Sequence, residues 1–304
     1  MKPSSRGSSR RRQRGILQWL VAGLLLAAAI FWGTRALRSG GGTGGSAGAI
    51  SRLRTADFHS LVFSAVEPDT VFFGHHGGLL LSTDGGREWR AASLRNADAM
   101  ALAAPPADSE VMYAAGHNVL MKSTDAGGSW QSIDADLPGL DIHGFAGDPE
   151  NPDLLYAHVV GFGVFRSRDG GDHWELLTAQ AVFLNLAVGE TSETLYGAAA
   201  QSGLFRSDDG GRTWSRLPGP PGEGVVAVAF DRNSGQLYAT SLGAGAGVYA
   251  SNDLGLTWTS LNLRGTILAI AVSPHDPDRL IAVDDSGWVY ASRDGGASWA
   301  ESPG

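Results

Sequence analysis

Three tripeptides in the first half of this 304-residue chain set a carboxylate two residues ahead of a possible ligand: Asp57-Phe58-His59, Asp98-Ala99-Met100 and Asp141-Ile142-His143. In an extended strand, residues i and i+2 share a face, so each aspartate lies beside its histidine or methionine. His75, His76, His117 and His158 fall in the same stretch, which therefore holds six of the eight histidines. Imidazole with carboxylate is a donor set for a divalent transition metal such as Zn, Cu, Ni or Fe; on that reading the ligands are His59, His143, His75 and His158. The same groups can hydrogen-bond a polar ligand or a segment of a partner protein, through His59, His75, His76, His117, His143 and His158 with Asp57, Asp98 and Asp141. Asp–His pairs also orient one another with no ligand present. Acid–base chemistry is the fourth option: two of Asp57, Asp98 and Asp141 could act as acid and base in glycoside hydrolysis. The chain has no cysteine, which removes thiolate zinc sites, thiol nucleophiles and disulfides. It carries no P-loop or H-E-x-x-H motif.

The elements that must position these residues are repeats. The pattern S-x-D-x-G-x-x-W occurs six times. Its first three copies are Ser82, Asp84, Gly86 and Trp89; Ser123, Asp125, Gly127 and Trp130; and Ser167, Asp169, Gly171 and Trp174. The last three are Ser207, Asp209, Gly211 and Trp214; Ser251, Asp253, Gly255 and Trp258; and Ser292, Asp294, Gly296 and Trp299. Successive aspartates are 41, 44, 40, 44 and 41 residues apart. Three strand-like runs precede each box, and the run beginning at the Trp is expected to make a fourth strand. Four short strands per repeat describe a propeller blade. The expected fold is all-β, a six-bladed propeller over residues 55–304, with blades at about 55–95, 96–137, 138–179, 180–220, 221–263 and 264–304. The box itself is mechanical: Ser and Asp side chains bond the turn's backbone, Gly takes a conformation other residues resist, and Trp packs beneath.

This box resembles the Asp-box, or bacterial neuraminidase repeat, of sialidases, sortilin-type receptors, xyloglucanases and photosystem II assembly-factor propellers. The whole chain is similar to bacterial membrane-anchored Asp-box proteins loosely labelled glycosyl hydrolases. The resemblance implies a propeller whose ligand site lies on the face opposite the boxes. It does not bring sialidase chemistry with it. Sialidases use a Tyr–Glu nucleophile, an arginine triad and an F/Y-R-I-P motif, and no such tetrapeptide is present. Tyr113, Tyr156, Tyr196 and Tyr238 occupy one repeat position, and Tyr249 and Tyr290 another, so repeat packing accounts for all six tyrosines.

Function should lie where the repeats differ. The positions that hold His59, Met100 and His143 in blades one to three hold Leu184, Val226 and Leu268 in blades four to six. Up-and-down topology places the start of strand one and the end of strand two on the non-box face. The six histidines and three aspartates are therefore expected to gather there, in the half built by blades one to three.

Charge divides the chain. Residues 1–54 hold ten Lys/Arg and no acid, leaving 13 Lys/Arg against 31 Asp/Glu, a net −18, for residues 55–304. A body that acidic repels nucleic acid and anionic lipid, so nucleic acid is excluded as a partner. Behind a basic head at 1–14 lie twenty uncharged, mostly apolar residues, 15–34, about 30 Å as a helix and one bilayer core deep. The run continues to Trp32, longer than the apolar part of a cleaved signal. It is expected to be a single transmembrane anchor with a cytoplasmic N-terminus and an extracytoplasmic propeller. Residues 35–54 read as a Gly/Ser-rich linker, whose Ser39–Ala49 stretch reaches roughly 18 Å. The function expected from these features is a membrane-anchored binding or assembly module with a protein or glycan partner.

Overall fold

The computed structural model describes residues 48–55 and 57–299. They form six antiparallel four-stranded sheets arranged as propeller blades. Strand β1 is Ala49–Arg52. Blade one is β2 (Ser60–Phe63), β3 (Val71–His75), β4 (Gly78–Ser82) and β5 (Arg90–Arg95). Blade two is β6 (Ala101–Ala103), β7 (Met112–Gly116), β8 (Val119–Ser123) and β9 (Gln131–Ser132). Blade three is β10 (Ile142–Gly147), β11 (Leu155–Val159), β12 (Gly163–Ser167) and β13 (Glu175–Thr178). Blade four is β14 (Asn185–Val188), β15 (Leu195–Ala199), β16 (Gly203–Ser207) and β17 (Ser215–Arg216). Blade five is β18 (Val225–Asp231), β19 (Gln236–Ser241), β20 (Gly247–Ser251) and β21 (Thr259–Arg264), with a short 3₁₀ turn at Gly243–Gly245. Blade six takes β22 (Ile267–Val272), β23 (Leu280–Asp284) and β24 (Trp288–Ser292) from the end of the chain.

The outer strand of blade six is β1. It pairs antiparallel with β24, Ala49 opposite Tyr290 and Arg52 opposite Trp288. The expectation that each Trp opens its own blade's fourth strand therefore holds for five blades, one residue after the Trp, and differs in the sixth. Residues 49–52, assigned to the linker by composition, shut the ring. The basic head, the expected anchor at 15–34 and residues 35–47 lie outside the described residues. Among the described residues no helix is long and apolar enough to cross a membrane.

The core follows from the repeat. Each blade interface buries its own cluster around the ring. The one between blades six and one joins Leu61, Phe63, Val71 and Phe73 to Ala269, Ala271, Ile281, Val283 and Val289. Innermost strands converge at the axis, where only small side chains fit side by side. Ala101, Ala103, Ala227, Ala229, Ala269 and Ala271 accordingly line a central channel. Tyr113, Tyr156, Tyr196 and Tyr238 are fully buried on the second strands. Tyr156 donates its hydroxyl proton to the Ser192 carbonyl at 2.7 Å, as a buried phenol must.

The six boxes share one turn geometry. In the first, Ser82 donates to Asp84 at 2.7 Å and accepts from the Gly86 N–H at 2.8 Å, while Asp84 accepts from the Arg87 and Glu88 N–H groups at 3.0 Å. The serines of the other boxes, Ser123, Ser167, Ser207, Ser251 and Ser292, accept from the N–H of Gly127, Gly171, Gly211, Gly255 and Gly296 at 2.8–2.9 Å. Gly86 has φ +93°, and a Cβ there would sit 2.7 Å from Ile281 Cδ1. Gly127, Gly171, Gly211, Gly255 and Gly296 repeat that left-handed backbone, with φ from +84° to +106°. The motif thus needs glycine for both conformation and space.

The tryptophans are less uniform than the repeat implies. In four boxes the indole N–H closes back on the box glycine's carbonyl: Trp89 on Gly86 at 2.9 Å, Trp174 on Gly171 at 2.7 Å, Trp214 on Gly211 at 3.0 Å and Trp258 on Gly255 at 3.2 Å. Trp130 instead donates to the Ser93 hydroxyl at 3.1 Å, and Trp299 to the Leu261 carbonyl at 2.8 Å. Ser93 and Leu261 belong to the outer strands β5 and β21 of the preceding blades, and Trp89 also donates to the Ser51 hydroxyl on β1 of blade six at 3.2 Å, so these three rings staple one blade to the next. Box residues build turns and blade contacts; the side chains with free chemistry lie at the other end of the strands.

Candidate functional site

The non-box face is where first strands begin and second strands end. In blades one to three, residues 57–59, 98–100 and 141–143 lead into β2, β6 and β10. Residues 75–76 and 117 leave β3 and β7. The backbone stitches them together: Ala99 N–H donates to the His75 carbonyl at 3.2 Å, Asn118 N–H to Leu140 at 2.7 Å, and Val160 N–H to Asp141 at 2.8 Å. His117 and Asp141 form an isolated bridge between blades two and three. Close approach is enforced by glycine. A Cβ on Gly116 would lie 1.8 Å from the Asp98 carbonyl oxygen, and one on Gly74 would lie 2.3 Å from that of Ala99.

The side chains form a continuous string along the rim. His76 Nδ1 is paired with Asp57, which also accepts from the His76 backbone N–H at 3.2 Å. His76 Nε2 stands 3.0 Å from His59 Nε2 and 3.5 Å from Asp98 Oδ1. The other oxygen of Asp98 takes His117 Nδ1 at 2.6 Å. His117 Nε2 lies 3.1 Å from Asp141 Oδ1 and 3.3 Å from His143 Nε2, and His143 Nε2 is 3.0 Å from the same Asp141 oxygen. Asp98 Oδ1 and Asp141 Oδ1 are both shielded from solvent, and neither makes a directed hydrogen bond.

Electrostatics follow from that packing. The Asp141 carboxylate is the largest influence on His117; with Asp98 it outweighs burial and raises the imidazole to about 9. Burial pushes Asp141 up, but the imidazoles of His117 and His143 hold it well below the usual carboxylate range. Burial likewise opposes ionisation of Asp57, yet His59 and His76 bring it down to about 2.

Seven of the nine residues expected on this face therefore meet: Asp57, His59, His76, Asp98, His117, Asp141 and His143. Two do not join them. His75 is still in the β3–β4 ladder opposite Gly78, and its Nδ1 accepts from the Gly77 N–H at 3.0 Å. His158 is 2% exposed in the middle of blade three, paired opposite Val164. Burial holds His158 down to about 4. The metal set expected from sequence, His59, His143, His75 and His158, is thus corrected: the ring nitrogens that converge with those of His59 and His143 belong to His76 and His117 instead. Both stand where a second strand gives way to a tight turn, so alternation along the strand no longer governs them. The signal was the turn chemistry that follows, Gly77-Gly78 after His76 and Asn118 (φ +56°) after His117. His173 and His275 stand apart, bonded to Asp169 and to the Ser64 carbonyl.

Sequence reasoning also missed an apolar flank. Phe162, in the β11–β12 turn, and Val182, before β14, are 46% and 56% exposed. Both belong to the non-box face, in blades three and four.

Comparison with known proteins places these features in context. A family profile described as "Photosynthesis system II assembly factor YCF48" matches residues 54–303. No curated protein matches the chain. Among solved structures, a GH74 enzyme from Niastella koreensis superposes with a TM-score of 0.59 at 17% identity, over 83% of this chain and 46% of that one. The chain thus spans about half the length of the GH74 enzymes it matches. A structure titled "YCF48 bound to D1 peptide" gives a TM-score of 0.54 at 20% identity, over 83% of this chain and 84% of that one. YCF48 from Cyanidioschyzon merolae gives 0.54 at 16% identity, over 83% and 88%. At these identities the likenesses are likenesses of fold.

Proposed function

This chain belongs to the photosynthesis system II assembly factor YCF48 family, and on that premise we propose that it is a non-catalytic binding and assembly module. Its non-box face takes an extended segment of a partner protein. One observation carries this reading: the non-box face holds the His/Asp string in its blade one to three half and, in blades three and four, two exposed apolar side chains, Phe162 and Val182. Such a surface offers hydrogen-bonding groups in one part and hydrophobic anchorage in another, which suits a polypeptide. A relative solved with a D1 peptide supports a protein ligand. The segment 15–34 would anchor the module in a membrane, with the propeller outside the cytoplasm.

Hydrolysis is the weaker alternative. A glycosidase acid needs a carboxyl group raised toward neutrality, whereas Asp57 and Asp141 are lowered by the imidazoles beside them. The GH74 likeness is one of fold.

The test is site-specific photocrosslinking in the source cell. A crosslinker at Phe162 or Val182 is expected to capture one defined polypeptide, and one at Leu256, exposed in a box turn, is not. Changing His59, Asp141 and His143 together to Ala should abolish the capture. Crosslinking from Leu256 alone, or capture indifferent to the triple change, would overturn the proposal.

A further inference from the structure

The His117, Asp141 and His143 end of the string has a geometry that mutual hydrogen bonding explains only in part: the two Nε2 atoms can share a hydrogen bond at 3.3 Å, which leaves Asp141 Oδ1 outside it. Its three ligand atoms form a triangle with edges of 3.0, 3.1 and 3.3 Å. Two ligands about 2.0–2.1 Å from one ion lie about 2.9 Å apart at an octahedral angle and about 3.4 Å apart at a tetrahedral one. All three edges fall in that window. Asp141 Oδ1 is close to both nitrogens yet aligned for a hydrogen bond with neither, and it is shielded from water. Lone pairs aimed at a shared third point produce that combination. The other end of the string differs in its carboxylate: Asp57 is engaged by both the ring and the backbone N–H of His76, and neither of its oxygens is buried without a partner.

The geometry points to a site for one divalent transition cation, held by His117 Nε2, His143 Nε2 and Asp141 Oδ1, with remaining positions open to solvent or a ligand. Two imidazoles and one carboxylate suit Zn and its first-row neighbours. Asp98 is the positioning residue. It accepts from His117 Nδ1 at 2.6 Å, which fixes the ring orientation that aims Nε2 at Asp141 and His143 and keeps the Nδ1 proton in place when an ion displaces the one on Nε2. Gly116 lets the Asp98 backbone approach closely enough to do so. The site bridges blades two and three, so an occupying ion also ties two modules together. It stands apart from the partner reading, because cation binding is measured with no partner present.

The experiment is titration of the chelator-stripped full chain with Zn²⁺ by calorimetry and with Co²⁺ by absorption. One equivalent of each is expected to bind, and Zn²⁺ should raise the melting temperature by mass action. His143→Ala and Asp141→Ala should abolish binding, with circular dichroism reporting that the fold persists; His143→Gln serves if the alanine variant unfolds. His173→Gln and His275→Gln, which lie outside the string, should leave stoichiometry and affinity unchanged. Asp98→Asn should weaken binding roughly 10–100-fold while keeping the Co²⁺ band pattern of the three retained ligands. Absence of saturable binding would overturn the assignment. So would a site lost with His59→Ala but kept in His143→Ala.

Discussion

At the residue scale, His158 shows how one repeat position can hold two histidines of opposite fate. His75 and His158 are equivalent in the blade alignment, yet the first turns back on its own hairpin and the second is sealed in blade three. Folded His158 titrates at about 4, mainly because burial penalises its charged form, and the unfolded residue titrates near 6.5. The unfolded chain therefore binds the extra proton first as pH falls. Stability is full above 6.5, declines from 6.5 to 4 and then levels off, a loss of about 3 kcal/mol from this group. Urea melts at pH 7 and pH 4 should show that His158→Leu loses less stability over the interval than the parent, by that amount. Equal losses would assign the slope to other groups. The aspartates of the site, by contrast, were legible in sequence, because Asp57, Asp98 and Asp141 recur at the first-strand start of three successive blades and keep that place once the strands are set.

At the scale of the element, the informative positions are strand ends. Strand interiors were readable because burial imposes alternation, and box turns because Ser, Asp and Gly each have a local backbone task. Where β3 and β7 run out, side-chain direction depends on the turn that follows and on how near the next blade lies. That is why His76 and His117, and not His75 and His158, supply the converging nitrogens. Gly116 sets the distance. Gly116→Ala would drive a Cβ into the Asp98 carbonyl, so β7 and the 97–99 segment must separate. Overpacking of this kind costs about 1–3 kcal/mol. The expected outcome is a lowered urea midpoint together with Zn²⁺ affinity reduced as far as in Asp98→Asn. A variant that loses stability but keeps Zn²⁺ affinity would show that Asp98 is held by something other than this close approach.

At the scale of the whole molecule, the ring was legible and its clasp was not. Six boxes at near-equal spacing announce six blades. β1 is four residues, AISR, beside a glycine-rich stretch, and nothing local marks it as a strand; its partner lies some 240 residues away. A boundary drawn at residue 55 would cut it off. The described residues from 48 to 299 belong to one compact unit and should melt as a single cooperative transition. A chain starting at residue 55 leaves the β24 edge unpaired and uncovers Trp288 and Tyr290. It should melt on the order of 10 °C lower, as loss of a few kcal/mol implies for a domain this size, and should associate through that edge. Equal melting temperatures for the two would mean that the clasp contributes little.

That clasp also imposes an order in time. β1 leaves the ribosome first among the strands described, and β24, the strand it must meet, leaves last. Blades one to five can each fold as they emerge, but the ring cannot close until blade six is made. Until then β1 has no partner, the blade-one side of the last interface is open to solvent, and Leu61, Phe63 and Phe73 wait uncovered. Contacts of such long sequence separation form slowly, so the half-built ring is the state most exposed to proteolysis and misassembly.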